Sequence, residues 1–131
     1  MADVNRGARP LSPHLTIYRP QINSGMSIFH RLTGVGLTLG FLLGVWWFLG
    51  LAGGPERFAS VDGMLTGWFG GLIMILSMVA LWYHCFNGVR HLVNDAGYFL
   101  EREDLQRTSI AVLAATGVMS VITLAVALTG G

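Results

Sequence analysis

Three long apolar stretches, separated by shorter polar connectors, set the pattern of this sequence. They cover residues 32–51, 68–93 and 110–128, and the second takes on a mixed character after Tyr83. Each is close to the roughly 20 residues with which a helix crosses a hydrocarbon core of about 30 Å. Because a backbone in lipid must satisfy its hydrogen bonds within its own segment, we expect helices rather than open strands. The pattern predicts an all-α membrane protein with three transmembrane helices, at approximately 27–51, 67–94 and 109–129.

The first 23 residues are polar and interrupted by proline. Pro10, Pro13 and Pro20 each remove a backbone donor and restrict the residue before them, which prevents a continuous helix. We therefore interpret residues 1–23 as an extended segment and residues 24–131 as a three-span transmembrane domain.

The polar connectors indicate where the helices end. Asn23 or Ser24 is a suitable cap for the first helix, since a short polar side chain can accept from an unpaired backbone N–H. Residues 52–67 contain a Gly-Gly-Pro run and are predicted to form a polar loop. Residues 95–108 are the most charged part of the chain and form the second connector.

Composition supports a membrane location and removes several classes of function. Charged residues make up 11% of the chain, about half the proportion that is usual for a soluble domain. The formal net charge is +1, so the overall charge does not indicate a nucleic-acid partner. The single cysteine, Cys85, excludes an internal disulfide and a zinc or iron–sulfur site built from cysteines.

Arginine supplies every basic side chain, and its distribution predicts the orientation. Arginines precede or open the first span and flank the second connector, whereas one lies in the first connector and none follows the third span. The positive-inside rule then places the N-terminus and the second connector in the cytoplasm. Because the start has no apolar signal core and no transit-sequence character, we expect a multi-pass protein of a bacterial inner membrane with a periplasmic C-terminus.

His84 is the strongest candidate for function because it lies inside the second span. It is about 13 Å from the inner end of that span, and an ionisable residue at this depth is a functional candidate. Ser77, Ala80, Gly88 and His91 project within about 40° of it on a helix. A flat ligand such as a porphyrin needs small residues beside its ligating side chain. Close packing between helices is the other interpretation of this face.

Spacing excludes two histidines of this helix as ligands of one iron. His91 is two turns from His84, about 10.5 Å away, whereas the two axial ligands of one iron lie within about 4 Å. His30, at the inner end of the first span, is predicted to lie at a different depth, so a second ligand would come from another chain. His30, Arg31 and His91 would instead meet haem propionates at the cytoplasmic edge. Arg31 and Arg90 could also extend to lipid headgroups.

Two long motifs carry a resemblance to a known family. Residues 9–15 read RPLSPHL and residues 27–34 read SIFHRLTG, and together they resemble the N-terminal signature of succinate dehydrogenase cytochrome b subunits. Residues 84–97 read HCFNGVRHLVNDAG and resemble the second signature of that family. Asn94 departs from the pattern, which usually has a bulky apolar residue there.

The resemblance implies a role for each matching residue. It implies that His84 is one axial ligand of a b-type haem and that a second small membrane-anchor subunit supplies the other. It implies that His30, Arg31 and His91 lie near the propionates, and that Ser27 and Arg31 line a ubiquinone site. The implied partners are a flavoprotein subunit, an iron–sulfur subunit, the second anchor subunit and membrane lipid, with no nucleic acid. The chain itself would carry no residue for the succinate chemistry.

Three other functions remain compatible with the sequence. The first is the anchor of a quinol:fumarate reductase, because the sequence does not fix the direction of electron flow. The second is a membrane scaffold without a cofactor, which the histidine and glycine face of the second span argues against. The third is a haem protein in which two copies of the chain each supply His84.

Overall fold

The computed structural model describes residues 18–130, which form four helices. In chain order these are α1 (Ile22–Ala52), α2 (Pro55–Thr66), α3 (Trp68–Asp95) and α4 (Arg102–Thr129). Within the described residues there is no strand. Helices α1, α3 and α4 contain 31, 28 and 28 residues and are apolar enough to cross a membrane. The prediction of an all-α protein with three membrane-spanning helices is confirmed.

Helix α1 begins earlier than the apolar pattern indicated. Its N-cap is Gln21, in an extended conformation without a side-chain cap hydrogen bond. The expectation that Asn23 or Ser24 caps this helix is wrong, because both lie inside it. Ser24 accepts a hydrogen bond from the Tyr18 hydroxyl at 3.0 Å. The expected extended segment, residues 1–23, overlaps the helix at residues 22–23, and its first 17 residues lie outside the described part of the chain.

The first connector is a helix, so its prediction as a polar loop is wrong. Gly54 has a φ of 96°, which favours glycine, and Pro55 follows at the start of α2. Proline is well suited to this position because its fixed φ is helical and its missing N–H would be unpaired there anyway. The Gly-Gly-Pro run therefore makes a tight turn between two helices instead of an open loop.

Helix α2 is held against the C-terminal part of α1 by packing and by one hydrogen bond. Val61 is buried, and a Cβ on Gly50 would lie 3.1 Å from it, so these helices approach closely. The Trp47 Nε1–H donates to Asp62 Oδ1 at 3.0 Å. The Trp47 ring also meets Phe58 edge to face, with 5.3 Å between the ring centroids. Together these contacts hold α2 against α1, in a segment that the sequence pattern had predicted to be a loop.

Helix α3 lies between α1 and α4, and the core of this bundle is small. Met26, Tyr83 and Val112 form its buried apolar cluster, with Phe86 packed against it. Most of the other large apolar side chains in the described residues are exposed. Outward-facing apolar surface is what lipid and neighbouring membrane helices require, so burial inside the chain is a poor measure of which residues leave water.

We predict that Trp47→Phe loosens α2. The variant keeps an aromatic ring beside Phe58 and removes the donor to the Asp62 carboxylate, which contributes about 1.5 kcal/mol. If cleavage requires local opening, trypsin should cut the purified protein after Arg57 in α2 about tenfold faster than in the native chain. Trp46→Phe is the matched control, because Trp46 is exposed and makes no such bond. Equal cleavage rates in the two variants would contradict this account.

Candidate functional site

The histidine and glycine face of α3 packs against α1. At three positions on this contact, a glycine on one helix opposes a larger side chain on the other. An added Cβ would lie 3.3 Å from Ser77 at Gly40, 3.1 Å from His84 at Gly34 and 3.6 Å from His30 at Gly88. The sequence interpretation placed Gly88 beside a ligand of His84; in the structure, its neighbour is the His30 ring. Small residues on this face thus allow close packing between the helices.

The His84 ring is oriented by the backbone of α1. Its Nδ1 lies 3.1 Å from the His30 carbonyl oxygen and 3.2 Å from Thr33 Oγ1. The Thr33 hydroxyl donates to the Phe29 and His30 carbonyls, so its oxygen is available to accept. Because a carbonyl can only accept, Nδ1 must carry the proton, which leaves the lone pair on Nε2. This arrangement is the usual one for a histidine that binds a metal through Nε2.

His30 lies beside His84, which corrects the expectation that the two differ in depth. Their ring centroids are 4.0 Å apart and their planes differ by 11°. The reason is the early start of α1: His30 is eight residues from Ile22, about 12 Å into the helix. His91 approaches the other side of this cluster, with its ring centroid 5.0 Å from that of His30. The three imidazoles therefore form one cluster between α1 and α3.

Two polar atoms buried beside this cluster have no hydrogen-bond partner among the described residues. His30 Nδ1 is buried and has no hydrogen-bond partner among the described residues. Asn87 is fully buried, and its Nδ2 lies 3.2 Å from His91 Nε2 while its Oδ1 has no partner in that same part of the chain. Such groups are costly to bury unless a hydrogen bond compensates for lost water, so this cluster suits a polar ligand from outside the chain.

Ser27 and Arg31 are not part of the histidine cluster. Both lie on α1, where Ser27 is half-buried and Arg31 is exposed. Arg31 follows His30 directly, and consecutive residues of a helix point about 100° apart. Neither side chain hydrogen-bonds to another residue within 18–130. The structure therefore brings His30 and His91 together, as expected, and leaves Arg31 on the outer surface of this chain.

Sequence reasoning missed Arg90 as an internal residue. Lipid headgroups were the expected partners of Arg90, but its side chain is buried and reaches α1 and α4. No acidic residue lies three or four positions before or after Arg90. Arg90 therefore has no acidic partner on its own helix, whereas polar Asn23 and Thr108 lie at the matching ends of the other helices. These two observations could have identified the partners of Arg90 from the sequence.

The residues around His84 fit an axial ligand of a haem. His84 Nε2 keeps its lone pair, Gly34 leaves room beside the ring, and His30 offers an unpartnered buried nitrogen. Within residues 18–130, no group of three or more metal-binding side chains could hold an ion on its own. A porphyrin supplies four of the ligands of its iron, so a single histidine from this chain is compatible with such a group.

Comparison with known proteins identifies the family. The succinate dehydrogenase/fumarate reductase transmembrane subunit family matches residues 5–124. The chain belongs to this family. It is therefore a multi-pass membrane subunit, in agreement with its three apolar helices.

Individual members of the family resemble the chain over most of its length. The succinate dehydrogenase cytochrome b556 subunit of Paracoccus denitrificans is 47% identical over 126 residues, covering 96% of this chain and 97% of the relative. The cytochrome b560 subunit of Reclinomonas americana is 42% identical over 110 residues, covering 80% of this chain and 76% of the relative. The corresponding subunit of Marchantia polymorpha is also 42% identical, with 80% of each chain covered.

We predict opposite effects for two glycine substitutions in α1 of this family member. Gly34→Ala puts a Cβ 3.1 Å from His84, so either the ring or the helix must move, and overpacking of this kind costs about 1–3 kcal/mol. Gly36→Ala meets no atom within 4 Å and should gain up to about 1 kcal/mol of helix propensity. Thermal unfolding of the purified protein in detergent should show a lower midpoint for Gly34→Ala only. A shared rise would contradict the close contact.

Proposed function

We propose that this chain is the cytochrome b membrane-anchor subunit of a succinate:ubiquinone oxidoreductase. In this role it binds a b-type haem through His84, completes a ubiquinone-reduction site and serves the tricarboxylic acid cycle and respiratory electron transport. The orientation of His84 carries the proposal, because its Nδ1 is held by the His30 carbonyl and its Nε2 is left for iron. The chain has no catalytic residue for succinate. Its partners are a flavoprotein subunit, an iron–sulfur subunit and a second small anchor subunit.

His84 would hold the iron of the haem through Nε2, and the surrounding histidines would hydrogen-bond to its propionates. A b-type haem, when bound, supplies a one-electron carrier within the membrane. The His30 carbonyl and Thr33 hydroxyl fix the ring of His84 and raise the basicity of its Nε2. His30 and His91 are the proposed partners of the haem propionates, because their rings lie beside His84 and His30 Nδ1 has no hydrogen-bond partner within residues 18–130. The second ligand comes from the second anchor subunit.

Ser27 and Arg31 are the proposed donors to ubiquinone. They are four residues apart and share one face of α1. Both side chains can donate, and the arginine stays charged at every working pH. A quinone carbonyl gains negative charge as it is reduced, and donors held in a water-poor site stabilise that charge. Loss of one such donor in comparable oxyanion sites costs about 3 kcal/mol.

The proposal also includes the direction of electron flow and the orientation of the chain in the membrane. The family includes both succinate dehydrogenase and fumarate reductase subunits, whereas the relatives described above are succinate dehydrogenase subunits. We therefore propose succinate oxidation over fumarate reduction. The arginine distribution supports a bacterial inner membrane with the N-terminus in the cytoplasm and the C-terminus in the periplasm. The ubiquinone site then lies at the cytoplasmic end of α1.

His84→Ala and His91→Ala test the haem assignment. Absorption spectra of the purified complex should show that His84→Ala loses native low-spin ligation, because it removes the Nε2 ligand. His91→Ala should keep a six-coordinate iron and change only its surroundings. The chain expressed without the second anchor subunit should not form a stable low-spin haem. An unchanged low-spin spectrum in His84→Ala would refute the assignment.

Ser27→Ala and Arg31→Leu test the quinone site. Membranes are assayed with succinate and a water-soluble dye, which accepts electrons before the quinone site, and then with succinate and ubiquinone. The dye rate should be retained, whereas the ubiquinone rate should fall at least about tenfold in Arg31→Leu and by less in Ser27→Ala. Equal loss in both assays would indicate failed assembly. Normal ubiquinone reduction in both variants would remove these residues from the site.

A further inference from the structure

Arg90 is a buried cation near the cytoplasmic end of α3. It is 8% exposed, and its guanidinium donates only to neutral acceptors. Its Nε–H donates to Thr108 Oγ1 at 3.0 Å, and its Nη2 donates to Asn23 Oδ1 at 3.0 Å and to the Leu105 carbonyl at 3.2 Å. One side chain on α3 thus hydrogen-bonds to both α1 and α4. Within residues 18–130 it forms no ion pair.

Asn23 is the point at which all three spanning helices meet. Its Oδ1 accepts from Arg90 and also from the Ser109 hydroxyl of α4 at 2.8 Å. Ser109 is fully buried, so water does not compete for its hydroxyl hydrogen, which is shared between Asn23 and the Leu105 carbonyl at 2.7 Å. Asn23 lies in the first turn of α1, which has no side-chain cap. Side chains from α3 and α4 therefore fix the position of this turn.

Tyr83 provides a second contact between α3 and the same part of α1. It is buried, and its hydroxyl donates to the Met26 carbonyl at 2.7 Å. Tyr83 and Arg90 are seven residues apart, which places them two turns apart on one side of α3. Two contacts at different heights determine both the rotation of α1 about its axis and its position along α3.

We infer that Arg90 and Tyr83 are positioning residues for the ubiquinone donors. Met26 directly precedes Ser27, and Asn23 lies one helical turn before it, so a rotation at these contacts moves Ser27 and Arg31 as well. Misplacement of a reacting partner by about 1 Å can lower a rate by roughly 100-fold. This inference rests on the proposed role of Ser27 and Arg31, and it extends the quinone site to residues that do not touch the substrate.

Arginine is required at position 90 because of its shape. The planar guanidinium presents donors in a fixed fork and can reach acceptors on two helices at once. A lysine would carry the same charge on a single flexible nitrogen, so it should keep the helices together while holding Asn23 less well. The comparison of Arg90→Lys with Arg90→Met therefore separates charge from geometry.

The test is a double-mutant cycle on the assembled complex. Arg90→Met and Tyr83→Phe are each made in the native chain and in Arg31→Leu, and kcat and KM for ubiquinone are measured beside the dye rate. We expect Arg90→Met to lower kcat/KM about tenfold, mainly through kcat, Tyr83→Phe to lower it about threefold, and Arg90→Lys to restore part of the loss. In the Arg31→Leu background the further loss should shrink to less than about twofold. The dye rate per assembled complex should not change.

Arg107→Met is the matched control, since Arg107 is exposed and, among residues 18–130, pairs with Glu103 alone, on its own helix. It should leave kcat/KM for ubiquinone unchanged. An equal factor for Arg90→Met in both backgrounds would overturn the inference, as would normal kinetics in Arg90→Met and Tyr83→Phe. If Arg90→Met does not assemble, Tyr83→Phe decides the matter, because it removes one hydroxyl and keeps the ring. Normal kinetics in Arg31→Leu alone would overturn the proposed quinone site and this inference with it.

Discussion

The close approach of α1 and α3 around His84 determines how the other site residues are placed. Gly34 leaves the space that the His84 ring occupies, and the His30 carbonyl then holds its Nδ1. The same approach stacks His30 on His84 and brings His91 to the edge of the pair. A wider separation of the helices would release the hydrogen bond, and the lone pair of His84 would no longer have a fixed direction.

A second constraint comes from the membrane, where polar groups must find partners inside the protein. Near the N-terminal end of α1, Arg90, Asn23 and Ser109 hydrogen-bond to one another across three helices. Nearer the other end of the bundle, the Trp82 Nε1–H donates to Thr123 on α4 at 3.0 Å. These contacts give a bundle with a small apolar core a defined arrangement, because each fixes both the depth and the rotation of a helix. The site residues of α1 depend on that arrangement.

Features that depend on a single helix could be predicted from the sequence, whereas contacts between two helices could not. The length of the apolar stretches predicted the three spans, and helical spacing predicted that His84 and His91 share one face of α3. The depth of His30 could not be obtained in this way, because α1 begins before its apolar stretch and its first turn is bonded to α3 and α4 through Asn23. The partners of Arg90 lie on α1 and α4, which spacing along α3 does not identify. The role of Ser27 rests on the motif alone.

The central claim is that this chain donates one imidazole nitrogen, from His84, to a haem that a second subunit completes. The most direct test is pulsed electron paramagnetic resonance of the oxidised complex, assembled so that only this chain carries ¹⁵N-histidine. We expect one strongly coupled ¹⁵N nucleus on the iron, and its loss in His84→Ala. No coupled ¹⁵N would show that both ligands come from other chains, and two would show that this chain supplies both; either result would contradict the account.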